Sequence, residues 1–210
     1  MATPEGSKTA DGFEQQFGVN HLAHFTLTAL LLPILLHSST PSFNSRVVAI
    51  TSSAHRYSAI NWEDVNLTRN YNPWVGYGQS KTATIWMANY IDRVYGPRGV
   101  HATSVHPGGV FTALHQNVAP EMMAEWQRDP AMIASMLTPE QGAATMAWAA
   151  AAKVWEGKGG KYLSDCGVGG PAKNLMSVLD PGYGPHAFDE EGENRLWELS
   201  CKLAGVKAEE

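Results

Sequence analysis

The chain has 210 residues, of which 44% are hydrophobic and 17% charged, the proportions of an ordinary globular domain rather than a disordered, collagenous or coiled-coil chain. Fifteen Lys and Arg against twenty Asp and Glu leave a net charge of −5, which opposes attraction to phosphate backbones, so nucleic acid is not an expected partner. Two cysteines without CxxC spacing are too few for a disulfide framework and point to a reducing compartment, here the cytoplasm. The polar opening Met1 to Lys8, and an apolar run no longer than Ala29 to Leu36 with Pro33 inside it, argue against a signal peptide and a membrane span.

In chain order, Asp11 followed by Glu14, with Phe13, Phe17 and Phe25 on one face, predicts a helix from about residue 11 that Pro33 ends or kinks. The run Arg46-Val47-Val48-Ala49-Ile50-Thr51-Ser52-Ser53 predicts a strand buried on both faces, the mark of a parallel sheet. A loop then leads to a second helix from about Trp74, stopped by Gly96-Pro97-Arg98-Gly99, and Val100 to Val105 predicts a second strand before His106-Pro107-Gly108-Gly109. Thr138-Pro139-Glu140-Gln141 combines an N-cap, Pro at N1 and Gln at N3, opening an Ala-rich helix to about Ala152. A third strand is expected near Lys161 to Ser164 and a covering helix near Phe188 to Leu203, whose N-terminus Asp189-Glu190-Glu191 caps. Strands alternating with helices make this one α/β domain over residues 1–210, with a parallel, doubly wound sheet of about three strands.

Tyr77 and Lys81 stand at i and i+4 of the second helix, placing a phenol and an ammonium on one face. A neighbouring positive charge favours the phenolate, so Tyr77 is expected to titrate below the ordinary value near ~10. A solvated surface pair gives the same spacing. Ser53 ends a buried parallel strand, where α/β proteins assemble their sites, and its hydroxyl is the expected partner of a substrate oxygen beside Tyr77. His21 and His24 lack a third ligand for zinc; they, with His55 and His106, are expected to serve packing or loop hydrogen bonds. Met122, Met123, Trp126, Met132 and Met136 suit core packing and an adaptable apolar substrate lining equally.

The Ser52-Ser53 strand end, Tyr77-x-x-x-Lys81, Asn20 within Val19-Asn20-His21-Leu22-Ala23, and Val105-His106-Pro107-Gly108-Gly109-Val110-Phe111-Thr112 together resemble the C-terminal two-thirds of a short-chain dehydrogenase/reductase. The closest branch is the retinol dehydrogenase and WW-domain oxidoreductase type, in a form common in fungi. The resemblance implies a truncated Rossmann-type fold and oxidation or reduction of a small lipophilic alcohol or carbonyl compound with NADP or NAD. By it, Tyr77 is the general acid/base, Ser53 polarises the substrate oxygen and Lys81 acts on both Tyr77 and the nicotinamide ribose. Asn20 fixes a relay water, and Pro107, Gly108 and Thr112 line the cofactor. The family's TGxxxGxG turn and NNAG strand end, which precede these motifs, do not occur in the 210 residues, and Gly157 to Gly160 and Gly167 to Gly170 open no phosphate loop. Met1 falls just after the NNAG position, so a start at an internal methionine of a longer reading frame is expected. Cofactor binding by the chain alone is then weak, and the strand ending at Ser53 becomes an edge that favours oligomers or pairing with another chain. Two other functions remain open: a cofactor-free isomerase, dehydratase or cyclase using the same Tyr, Lys and Ser, and a non-catalytic dimerisation partner.

Overall fold

Glu14, rather than Asp11, opens the first helix of the computed structural model, which describes residues 1–207. Its carboxylate accepts the amides of Gln16 and Phe17 at 3.0 and 2.7 Å. Helix α1, Gln15–Ser38, contains a π turn over Gly18–Leu22 and runs through Pro33. The expected break does not occur because Pro33 is exposed, where water can take the ladder bond that proline removes. There follow β1 (Ser45–Ile50), α2 (Pro73–Tyr95), β2 (Val100–His106) and the short β3 (Gly109–Val110). Next come α3 (Pro120–Trp126), α4 (Pro130–Ser135), β4 (Met136–Leu137) and α5 (Pro139–Ala151), then β5 (Lys161–Ser164), β6 (Gly167–Val168) and α6 (Glu190–Ala204).

The main sheet has the order β1-β2-β5-β6. Its first three strands are parallel, with Ile50 opposite Val105 and His106 opposite Ser164, and β6 folds back antiparallel on β5. The fold is therefore α/β, with three parallel strands and flanking helices. Alternation along β2 assigns its two faces. Val100 and Ala102 join Phe25, Leu32, Ile91 and Trp197 in a core with α1, α2 and α6, while Val105 joins Leu163, Ala149 and Trp155 beneath α5. Thr138 forms the expected capping box with Gln141, and Asp189 caps α6 by accepting the Gly192 amide.

Among the described strands, β1 pairs only with β2, leaving its other edge open. Helix α1 is long and apolar enough to cross a membrane by length and composition; its Phe17, Leu22, Phe25 and Leu32 are in the core, while Leu27, Leu30, Leu31 and Ile34 are exposed. An open Val-rich edge beside an apolar helical face is a template for association. Self-association is accordingly expected, seen by sedimentation velocity as a weight-average mass that rises with concentration; a single monomeric species across a hundredfold range, about 1–100 µM, would contradict it.

Three histidines are buried: His21 and His55 at 1% and 0% exposure and His106 at 8%. Burial holds them neutral, lowering His21 to about 3, His55 to about 4 and His106 to about 4. The unfolded chain binds protons at these residues below pH 6.5 while the folded chain does not, so stability falls as pH drops from 6.5 towards 4. Urea unfolding should show a loss on the order of 2–3 kcal/mol per histidine between about pH 7 and 4.5; a flat profile would contradict it.

Candidate active site

The site is assembled where β1 runs into α2. Asn72 caps α2 by accepting the amides of Trp74 and Val75, and Pro73 occupies the first turn. Beyond Ile50, Thr51 continues the ladder through its amide to the Val105 carbonyl at 2.8 Å, and its hydroxyl donates to the Lys81 carbonyl at 2.8 Å. In return, the Lys81 ammonium donates to the Ile50 carbonyl at 3.0 Å. Ser52 is extended and caps a 3-10 turn over Ser53–Tyr57 by accepting the Ala54 amide. That turn lies directly on α2: a Cβ at Gly78 would come within 2.7 Å of the Ala54 carbonyl and 3.0 Å of the Tyr57 Cβ. Gly78 thus permits the close approach that sets Tyr77 beside the serines.

Ser52 and Ser53 both line the cavity beside Tyr77, and hydrogen bonding from the Ser52 side chain acts on the Tyr77 phenol. Ser52 is the extended residue before the 3-10 turn, and Ser53 is the first residue of that turn. Tyr77 is 4% exposed, and burial pushes its phenol up to about 12 while the Ser52 hydrogen bond pulls the other way. The expectation of a lowered Tyr77 pKa is therefore overturned. Lys81 lies 5.7 Å from the ring centroid with its charge directed to the Ile50 carbonyl, and burial lowers the ammonium itself to about 8.

The other expected residues divide. Pro107 and Gly108 line the same cavity; Gly108 has φ +82°, and a Cβ there would meet Leu137 at 2.6 Å. Thr112 is exposed and caps the turn over Ala113–His115, outside the cavity lining. Asn20 is likewise outside the lining: its Nδ2 donates to Ser80 Oγ at 2.9 Å, and Ser80 Oγ donates to the Tyr77 carbonyl at 2.8 Å. Asn20 therefore supports the Tyr77 backbone from the π turn. His55 is a structural strut, with Nδ1 2.6 Å from the Ser52 carbonyl and Nε2 accepting the Gly184 amide at 2.8 Å. Buried His21 bonds Ser200 Oγ at 2.7 Å, and no metal-binding group of His, Cys, Asp or Glu occurs among the described residues.

These residues border a cavity of about 630 Å³. Its charged lining consists of Lys81, Asp165 and the amino terminus, which donates to the Leu114 carbonyl at 3.3 Å. Most of the wall is apolar and aromatic. Trp74, missed in the sequence, stands edge-on to Tyr77, Tyr57 and Trp126 at centroid distances of 6.5, 6.3 and 6.1 Å. Met122, Met132 and Met136 line the cavity, whereas Met123 does not. Val178, Leu179 and Pro181 enter from a distant loop.

A fit for a nicotinamide ribose exists at Lys81. Its ammonium has three donors, its hydrogen bond among the described residues is to Ile50, and it borders the cavity beside Tyr77 and the Pro107-Gly108 turn. Nothing in the 210 residues provides the glycine-rich cradle for a pyrophosphate.

Residues 2–123 match the short chain dehydrogenase family. The chain is similar to short-chain dehydrogenase/reductase prx1 of Penicillium roqueforti, 48% identical over 206 residues that cover 98% of this chain and 60% of the relative. It is also similar to retinol dehydrogenase 14 of Mus musculus, at 36% identity over 95% of this chain and 55% of the relative. A solved structure of a putative uncharacterized protein from Mycobacterium paratuberculosis aligns with a TM-score of 0.69 and 29% identity, covering all of this chain and 65% of the other. The chain thus spans about 60% of the length of the prx1 relative.

Proposed function

The chain belongs to the short chain dehydrogenase family, and on that premise we propose that it carries the proton-transfer and substrate-binding portion of an oxidoreductase acting on a lipophilic alcohol or carbonyl compound. The observation that carries this reading is the meeting of Tyr77, Lys81 and the Ser52-Ser53 strand end at the wall of a mostly apolar cavity of about 630 Å³. A carbonyl oxygen placed between the Tyr77 and Ser52 hydroxyls would receive a hydrogen bond from each, concentrating donors where negative charge develops. With its pKa pushed up to about 12, Tyr77 keeps its proton at neutral pH and is suited to donate it to a forming alkoxide. In the reverse direction Tyr77 must first lose its own proton to solvent, and the phenolate oxygen then takes the proton of the substrate hydroxyl.

NADP or NAD is the cofactor this reading requires, supplying or accepting the hydride when bound. Lys81, Tyr77, Pro107 and Gly108 would hold its nicotinamide ribose end, with Thr112 beside them at the start of the turn that brings Leu114 and His115 to the wall. Asn20 positions Tyr77 through Ser80. The mostly apolar wall favours a lipophilic substrate.

Binding of NADPH or NADH by the purified 210-residue chain is expected to be weak, because the contacts that normally take the pyrophosphate are not among its residues. Titration calorimetry should give a Kd no tighter than about a millimolar; micromolar binding would contradict the premise that these residues lack the pyrophosphate contacts. The functional reading is tested by alcohol and carbonyl turnover, assayed with the chain joined to the cofactor half of a relative such as prx1. It predicts activity on lipophilic substrates, and activity confined to hydrophilic ones would count against it.

A further inference from the structure

The turn after Ser52 carries a buried guanidinium that the proton-transfer chemistry does not use. Arg56 has a side chain only 2% exposed. Its Nη1 donates to the carbonyls of Asp180 and Gly182 at 2.8 and 3.1 Å, and its Nη2 donates to the Ser177 carbonyl at 2.7 Å. All three acceptors belong to one loop between β6 and α6. Asp180 braces that loop from within: Oδ2 accepts the amides of Lys173 and Asn174 at 2.8 Å, Oδ1 accepts the Gly182 amide at 2.8 Å, and Oδ1 lies 3.8 Å from Arg56 Nη1.

Burying a guanidinium costs desolvation that is recovered only when its donors find well-placed acceptors. Three backbone carbonyls satisfy the two Nη groups, while Nε is buried without a partner among the described residues, and the three bonds fix the course of the loop from Ser177 to Gly182. The loop has little apolar anchorage there, since Leu175 and Met176 are 45% and 83% exposed. Yet this segment supplies Val178, Leu179 and Pro181 to the cavity wall. His55, in the same turn as Arg56, bonds the Ser52 carbonyl through Nδ1 and the Gly184 amide through Nε2. A single short turn therefore ties the serine beside Tyr77 to the loop across the cavity.

We propose that Arg56 is a positioning residue that holds the 173–182 loop in place as the substrate wall, so that the apolar body of a neutral carbonyl compound is recognised by Val178, Leu179 and Pro181 while its oxygen faces Tyr77. This rests on the functional reading above. Lysine cannot substitute, because a point ammonium lacks the planar fork that spans three carbonyls.

The test combines two readouts on the 210-residue chain: hydrogen exchange of the loop amides, and fluorescence titration with prodan, a neutral naphthyl ketone. Arg56→Met is expected to speed exchange at Lys173, Asn174, Asp180 and Gly182 by about tenfold or more, leaving the β2 amides slow, and to raise the prodan Kd by about tenfold or more. Arg56→Lys should reproduce most of both effects, and it carries the test should Arg56→Met fail to fold. Leu179→Ala should weaken prodan by about threefold or more while exchange stays as in the wild type. Unchanged exchange in both Arg56 variants would overturn the proposal, as would accelerated exchange with an unchanged prodan Kd. Wild-type chain that binds no prodan would overturn the functional reading and the recognition role with it, whereas the exchange arm fails or succeeds on Arg56 alone.

Discussion

Replacing Tyr77 with phenylalanine is expected to lower turnover by about 10²–10⁴-fold, the range associated with losing a positioned general acid or base. The substitution keeps the ring, which is 4% exposed and stands edge-on to Trp74 at 6.5 Å. Only the hydroxyl bonded to Ser52 is removed. Folding should therefore be retained, as judged by circular dichroism and thermal unfolding, and the substrate KM should change little beside kcat. The assay applies to any alcohol or carbonyl turnover the chain supports, alone or joined to the cofactor half of a relative. Wild-type turnover in Tyr77→Phe would mean that the tyrosine is an inherited scaffold residue.

Ser52→Ala and Ser53→Ala are expected to part company. Loss of the Ser52 hydroxyl should cost about 10²–10³-fold in kcat, as for removal of one donor to a developing oxyanion, with a stability cost on the order of 1 kcal/mol for the lost cap to Ala54. Ser53→Ala should leave kcat within about threefold if Ser52, whose hydrogen bonding acts on the Tyr77 phenol, is the polarising serine. Both residues border the cavity, so the comparison reports the direction of the hydroxyl rather than mere proximity. The opposite ranking would return the polarising role to Ser53.

The parallel strands were legible because Val47, Val48, Val100 and Val105 lie in short runs bounded by turn residues, and because Thr138 and Gln141 announce their helix by a local capping box. Local chemistry was a weaker guide at Pro33, where exposure on an otherwise well-packed helix allows the chain to continue. Tyr77 and Lys81 were found by helical spacing together with the resemblance, since i and i+4 share a face on many helices by chance. Their ionisation was not, because burial acts through the tertiary environment. Asn20 and Thr112 were assigned by resemblance, yet their side chains are directed to Ser80 and to a local turn. Trp74, Leu179 and Arg56 carried no local signal, as their significance arises only when residues about 100 positions apart meet around one cavity. Ser52 and Ser53 stand on either side of the point where the extended strand yields to the 3-10 turn, so sequence position alone does not rank their two hydroxyls.

The central claim, that a carbonyl compound is held with its oxygen between Tyr77 and Ser52, is tested most directly by a crystal structure of the chain with a neutral aryl ketone such as prodan. The account predicts the ketone oxygen about 2.6–3.2 Å from both the Tyr77 and Ser52 hydroxyls, with the rings lying against Trp74 and the Leu179 wall. A ketone seated outside this cavity, or one whose oxygen faces away from Tyr77, would contradict it.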